Sequence, residues 1–272
     1  MLDLRQSNAL GRFFSWYHIY EVRLAVEPVP EFAKFVQEHL RRTEWRDFPD
    51  VIIHAEESLV KKHPLYALAK GGDVKAAEGL VLAVSTIGAL DKISALIGAK
   101  RPHLLAVHAL ETEGGNAIPR TFAQALSKML DLPMAKGIIQ INRVVHTGAD
   151  GYRRLALPAL FGGDVKELEY FLVDDFVGQG GTLANLRGFV ESRGAKVLGA
   201  TSLTGKGYSA KLSLSEETLR GLKGKHGTEL EQWWVAAFGY GFERLTESEA
   251  RYLTRADDAH SISARIIASA GK

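Results

Sequence analysis

The chain has 272 residues, 46% hydrophobic and 24% charged, the proportions of a globular protein long enough to bury a full core. Its 34 basic and 32 acidic residues leave a formal charge of +2, so net charge carries no polyanion-binding signature. Cysteine is absent, which excludes disulfides, thiolate nucleophiles, Cys-type zinc sites and iron–sulfur ligation by cysteine.

Residues 1–20 carry Asp3, Arg5 and Arg12 among their apolar side chains and lack the uninterrupted apolar core of a secretory signal. In residues 30–45, Phe32, Phe35, Val36 and Leu40 fall at helical spacing, with Pro30 suited to a helix start. A short strand is expected at 51–54. Alanine-rich helix follows from Leu59 to Ile97, broken near Gly71-Gly72. The most apolar run, Leu80 to Leu90, is too short to span a bilayer. These features predict a cytoplasmic protein with no membrane segment.

From Arg101 the texture changes. A buried strand is expected at 103–109, then a turn-rich loop (LETEGGNAIP) and an amphipathic helix from Arg120 to Leu130. Another strand is expected at 137–145, followed by a polar, glycine-containing stretch at 146–154. Leu168 to Val173 reads as a strand, Gly178 to Thr182 as a tight loop, Leu183 to Arg193 as a helix, and Lys196 to Thr201 as a last strand. After Gly205 the chain turns helical again. Ser215 is placed to cap a helix through Leu222, and Thr246 with Glu249 forms a capping-box pattern. A closing helix is expected within 257–270.

Strands alternating with helices predict an α/β fold: a central, mostly parallel sheet flanked by helices, with largely helical N- and C-terminal additions. The expected division is a helical extension at 1–100, a core at 101–204 and a helical extension at 205–272.

The chemistry is concentrated in 170–182, YFLVDDFVGQGGT. Four consecutive apolar residues fit a strand buried on both faces, and Asp174 and Asp175 follow toward its C-terminal end. That edge of an open α/β sheet is where ligands bind. Gly178, Gly180 and Gly181 then let the backbone turn its amides toward one point beside a helix N-terminus, a site for a phosphate dianion. Acids beside a phosphate repel it unless they serve ribose hydroxyls or a divalent metal. The residues by themselves therefore suggest a phosphorylated sugar. The plain alternative is a strand-to-helix connection with a glycine turn.

This window resembles the signature of type I phosphoribosyltransferases: hydrophobic residues, two acids, a run of small residues and a threonine. The resemblance covers about 101–204. It implies that Asp174 and Asp175 contact the ribose 2′- and 3′-hydroxyls of 5-phosphoribosyl-1-pyrophosphate (PRPP). It also implies that Gly178, Gln179, Gly180, Gly181 and Thr182 hold the 5′-phosphate, although Gln179 departs from the small or hydroxylated residue usual there. Glu111, Thr112, Glu113 and Gly114 fall where the family puts its pyrophosphate loop and loosely resemble that of adenine-type members. Arg143, Arg153 and Arg154 fall in the family's mobile catalytic loop, with His146 nearby and Gly148 and Gly151 as hinges.

Mg²⁺ is the implied cofactor, held indirectly through Asp174, Asp175 and the substrate. The implied activity is transfer of a phosphoribosyl group from PRPP to a nitrogenous base. Gly178 stands where 6-oxopurine enzymes carry an aspartate, which argues against that base class. A second reading is a non-catalytic PRPP sensor on the same fold. No nucleic-acid or membrane partner is expected, and the fold is compatible with a homodimer. Trp233, Trp234, Phe238, Tyr240 and Phe242 form an aromatic cluster that reads first as core and secondarily as a base-stacking surface. The histidines show no metal-ligand spacing.

Overall fold

The computed structural model describes residues 31–108, 115–142 and 150–270. In chain order, α1 (Glu31–His39) leads to β1 (Ile52–Glu56), then α2 (Glu57–Lys61), α3 (Tyr66–Lys70), α4 (Val74–Val84) and α5 (Ile87–Ile97). Next come β2 (His103–Ala106), α6 (Ile118–Leu130), β3 (Ile138–Gln140), α7 (Gly151–Ala156) and β4 (Phe161–Gly163). The chain continues through β5 (Glu169–Val177), α8 (Gly181–Glu191), β6 (Lys196–Gly205), α9 (Glu216–Phe238), α10 (Glu247–Thr254) and α11 (Ala259–Ala270).

Four strands form one parallel sheet in the order β1-β6-β5-β2. The sheet takes one strand from the first hundred residues, β1, which pairs with β6 from Ile52 opposite Thr201 to Glu56 opposite Gly205. β5 sits between β6 and β2, and its side chains alternate between two packed faces, as strand geometry requires. Tyr170 and Leu172 pack with Leu183, Leu186, Phe189 and Val190 of α8. Phe171 and Val173 pack on the other face with Leu80, Val81, Phe122 and Leu126 of α4 and α6. The α/β fold expected from the sequence, a parallel sheet with helices on both faces, is the fold observed.

Several element boundaries differ from expectation. β5 runs past Val173 because it keeps its parallel ladder with β6, pairing Asp174 with Ser202 and Phe176 with Thr204. The two acids therefore lie within the strand, not after it. β3 does not join the parallel sheet; it pairs antiparallel with β4 in a separate ribbon. Its amide at Gln140 nevertheless bonds the His108 carbonyl at 2.8 Å, tying the ribbon to the end of β2. Residues 151–154, expected as part of a loop, begin α7, because the Asp150 side chain accepts from the Arg153 amide and caps that helix. The helix expected to end at Leu222 continues to Phe238 after a break at Gly227, where φ is 69°. The capping box at Thr246 and Glu249 is present in both directions.

A third core unites both chain ends. Val36 and Leu40 pack with Tyr152 and Leu155 of α7, with Trp234 and Phe238 of α9, and with Ile262 and Ile266 of α11. Trp234, Phe238 and Phe242 are fully buried there, so the aromatic cluster is core. Among the described residues no single helix is long and apolar enough to cross a membrane.

The segment after α1 crosses α8 closely. A Cβ placed on Gly188 would lie 2.0 Å from the Arg41 carbonyl oxygen and 2.8 Å from the Arg42 Cα. Backbone cannot yield as a flexible side chain can, so Gly188→Ala forces the two segments apart. Such overpacking costs about 1–3 kcal/mol. Urea unfolding of Gly188→Ala is expected to show an unchanged slope and a lower midpoint, with the extrapolated stability reduced by that amount; an unchanged midpoint would show that the crossing is loose.

Candidate functional site

One cleft of about 1030 Å³ opens at the C-terminal edge of the sheet. Its lining brings together Asp174, Asp175 and all five residues from Gly178 to Thr182. Asp174 is 6% exposed and Asp175 8%. Because successive strand side chains face opposite ways, Asp174 shares the α8 side with Leu172, and Asp175 shares the α3–α6 side with Val173. The Asp175 amide donates to Asp174 Oδ1 at 2.8 Å. Burial, and then the charge of Asp175, push the Asp174 carboxyl well above the usual carboxylate range.

Asp175 has a partner that sequence reasoning missed. Lys70 Nζ lies 2.6 Å from Asp175 Oδ2. Burial alone would lower the Lys70 ammonium's pKa, but the Asp175 carboxylate outweighs it and raises it. Lys70 ends α3, whose C-cap Gly71 amide bonds Ala67 and whose Ala69 carbonyl accepts from the Ala117 amide at 3.1 Å. It is thus held beside the N-terminus of α6. The only local hint in the sequence is its position before Gly71-Gly72; its partner is 105 residues away.

The loop between β5 and α8 turns at Gly180, which has φ 81° and serves as the N-cap of α8. That left-handed conformation favours glycine, and a Cβ there would also lie 2.3 Å from Leu212 Cδ2. The helix starts one residue earlier than Thr182, at Gly181. The loop is fixed from behind by both chain ends. Thr246 Oγ1 donates to the Gln179 carbonyl at 2.6 Å. Arg42 grips Glu249 with two bonds, Nη2 to Oε1 at 2.8 Å and Nη1 to Oε2 at 3.0 Å, and its Nε donates to Asn185 Oδ1 on α8. Both side chains of this ion pair are almost wholly buried. Burial disfavours the Arg42 charge, but Glu249 outweighs it and keeps Arg42 protonated. Removing one partner of such a pair costs about 3–5 kcal/mol. Arg42 also stacks 5.2 Å over the Tyr240 ring, which brings Tyr240, alone of the five clustered aromatics, to the cleft.

The remaining candidate residues divide. Arg154 lines the cleft, with Nη1 2.9 Å from where a Cβ on Gly178 would stand. Arg153 is on the same helix but is not among the residues lining the cleft. Gly151 is packed against the Tyr252 ring, where a Cβ would lie 2.2 Å from Cζ, so the close approach itself requires glycine. Glu111, Thr112, Glu113, Gly114, Arg143, His146 and Gly148 lie outside the described residues. Lys61, Arg120 and Asn116 also line the cleft.

Among the described residues no group of three His, Asp or Glu side chains is placed to hold a metal ion. Asp174 and Asp175 offer hard oxygen donors of the kind Mg²⁺ prefers. Asp175 Oδ2 is engaged by Lys70, so a metal would have to displace that ammonium to rest on this oxygen. His54 is a structural histidine: its ring meets Phe122 edge-on at 4.9 Å, and burial lowers its pKa to about 4.

No protein-family model matches the chain. Among curated proteins, Protein TraN of Escherichia coli is 36% identical over 229 residues, which is 84% of this chain and 51% of that protein. An uncharacterized protein of Haemophilus influenzae is 41% identical over 151 residues, 55% of this chain and 34% of that protein. The chain thus spans about half the length of the first relative and about a third of the second. Among solved structures, similar chains include adenine phosphoribosyltransferase from Leishmania donovani (14% identity, 66% of this chain and 70% of that one, TM-score 0.32). A second adenine phosphoribosyltransferase shares 14% identity over 65% of this chain and 91% of its own, with TM-score 0.33. That of Leishmania tarentolae shares 16% over 68% and 88%, with TM-score 0.32. Likeness of this degree decides nothing about chemistry, and the reading of the site rests on its own residues.

The raised Asp174 pKa has a consequence for stability. An acid whose folded pKa lies above its unfolded value stabilises the fold fully below the unfolded value, and that contribution is lost as pH rises through the folded one. Ionising the buried Asp174 carboxyl carries a burial cost that an amide removes, while Asn keeps the oxygen that accepts from Asp175. Asp174→Asn is expected to raise the midpoint of thermal unfolding at pH 7.5 by about 2–4 °C, roughly 1 kcal/mol. A lowered midpoint would mean that the carboxylate is fully compensated in the free protein.

Proposed function

We propose that the cleft binds a ribose 5-phosphate unit, and that its ligand is PRPP used as a phosphoribosyl donor. The observation that carries this reading is the joint placement of two buried acids, a glycine turn and a helix N-terminus along one cleft wall. The amides from Gly178 to Thr182 and the Thr182 hydroxyl take the 5′-phosphate. Asp174 and Asp175 accept from the ribose hydroxyls, which exchanges their mutual repulsion for hydrogen bonds. In this reading C1 of the ribose lies over the acids and its pyrophosphate points toward the start of α6, near the cleft residues Lys70 and Arg120.

In the reaction a ring nitrogen of the base forms a bond to C1 as the C1–O bond to pyrophosphate breaks. The leaving group takes the bonding electrons, and the base then gives its surplus proton to solvent. The protein contributes position and charge: the phosphate cradle fixes one end of the sugar, and the cleft cations oppose the charge growing on pyrophosphate. Position 178 is a glycine and has no carboxylate to serve a 6-oxopurine, and Arg154 lies beside it. This favours an adenine-like or pyrimidine-like acceptor.

Calorimetric titration with PRPP and Mg²⁺, with pyrophosphate release assayed across a panel of bases, tests the reading. Wild type is expected to bind and to release pyrophosphate with at least one base. Asp174→Asn/Asp175→Asn is expected to bind about tenfold more weakly or worse. Binding without release for any base would make the chain a PRPP sensor. Absence of binding to wild type, or unaltered binding in the double variant, would contradict the ribose assignment.

A further inference from the structure

Resting on the ribose-phosphate reading above, we infer that Lys70 is a specificity-determining residue: its ammonium is the cation that the acid pair carries into the ligand complex. The site consequently takes its sugar phosphate without needing a divalent ion. The ligand class is a ribose 5-phosphate bearing an anionic substituent at C1.

Three observations converge. The first is contact: Lys70 Nζ lies 2.6 Å from Asp175 Oδ2, at the length of a strong charge-assisted bond. An ammonium has three donors, and the bond to Asp175 uses one. The second is access. Lys70 and Asp175 both line the cleft, with side chains 36% and 11% exposed, so the ammonium reaches the ligand space beside the carboxylate. The third is fixation. α3 ends at Lys70, Gly71 and Asp73 close the turn through amide bonds to Ala67 and Leu68, and the Ala117 amide binds Ala69. Asp73 then caps α4 through the Ala76 amide at 2.9 Å. Lys70 is therefore anchored at its backbone between the acids and the start of α6, where Asn116 and Arg120 also reach the cleft.

The charge balance follows from this geometry. Two adjacent carboxylates would repel an anionic ligand, and a divalent ion is the common remedy. Here a covalently attached cation already stands on Asp175 and lines the same cleft. It neutralises part of the acid pair and keeps donors for the oxygens of the C1 substituent. A single attached charge also costs no binding of a free ion from solution.

The test uses the whole chain and two ligands, ribose 5-phosphate and PRPP, titrated in EDTA and again in excess Mg²⁺. Variants are Lys70→Met, similar in length without charge, and Lys70→Arg, with folding checked by thermal unfolding. Wild type is expected to bind ribose 5-phosphate equally, within about twofold, in both buffers. Lys70→Met is expected to weaken PRPP binding in EDTA by about tenfold or more and to recover with Mg²⁺, which can then reach Asp175. Lys70→Arg is expected to remain close to wild type in EDTA. Wild-type binding that vanishes in EDTA overturns the inference while leaving the ribose site intact, and this arm needs no variant. Lys70→Met binding like wild type in EDTA also overturns it. Failure of wild type to bind either ligand in either buffer removes the ribose-phosphate reading itself.

Discussion

Two adjacent carboxylates on a buried strand must be compensated, and much of the site's architecture follows from that constraint. Strand geometry sends Asp174 and Asp175 to opposite faces, so a neighbour that bonds one acts on the other only through space. Asp174 is partly answered by the Asp175 amide and is otherwise left with a raised pKa. Asp175 receives Lys70 from α3. Folding thus retains a costly pair of acids at the one edge of a parallel sheet where strand ends, glycine turns and helix N-termini meet. Such a cost is most readily explained by a ligand that repays it.

The glycine turn has its own support, drawn from distant parts of the chain. Arg42 follows α1, Glu249 lies in α10 and Asn185 in α8, yet they form one buried network behind Gly181. The capping box that starts α10 also reaches the loop, because Thr246 donates to the Gln179 carbonyl. One set of residues therefore starts α10, joins α10 and the segment after α1 to α8, and fixes the turn that lines the cleft. The core built from α1, α7, α9 and α11 holds that network in place. The helical additions are in this way part of the machinery that shapes the site.

What could be read from the sequence was local. The window 170–182 carries its period, its acids and its turn in thirteen neighbouring positions, so strand, turn and helix start were legible together. Likewise Thr246 and Glu249 are three residues apart, and their mutual capping was readable. Pairing between distant segments was not legible. Nothing near 137–145 indicates that β3 would leave the parallel sheet for an antiparallel ribbon with β4, because Ile138–Gln140 has the same apolar texture either way. The extension of β5 through the acids depends on its ladder with β6, which local polarity argues against. Lys70 was invisible for the same reason: it ends an alanine-rich helix and becomes significant only through a residue 105 positions on. Arg153 and Arg154 differ by one position, yet the turn of α7 sends only Arg154 into the cleft lining.

The central claim is that the β5–α8 turn and the acid pair together hold a ribose phosphate. A crystal structure of the chain soaked with ribose 5-phosphate tests this most directly. The account predicts the phosphate within hydrogen-bond distance of the amides from Gly178 to Thr182, with ribose hydroxyls on Asp174 and Asp175. A phosphate bound elsewhere, or a sugar turned away from both acids, would contradict it.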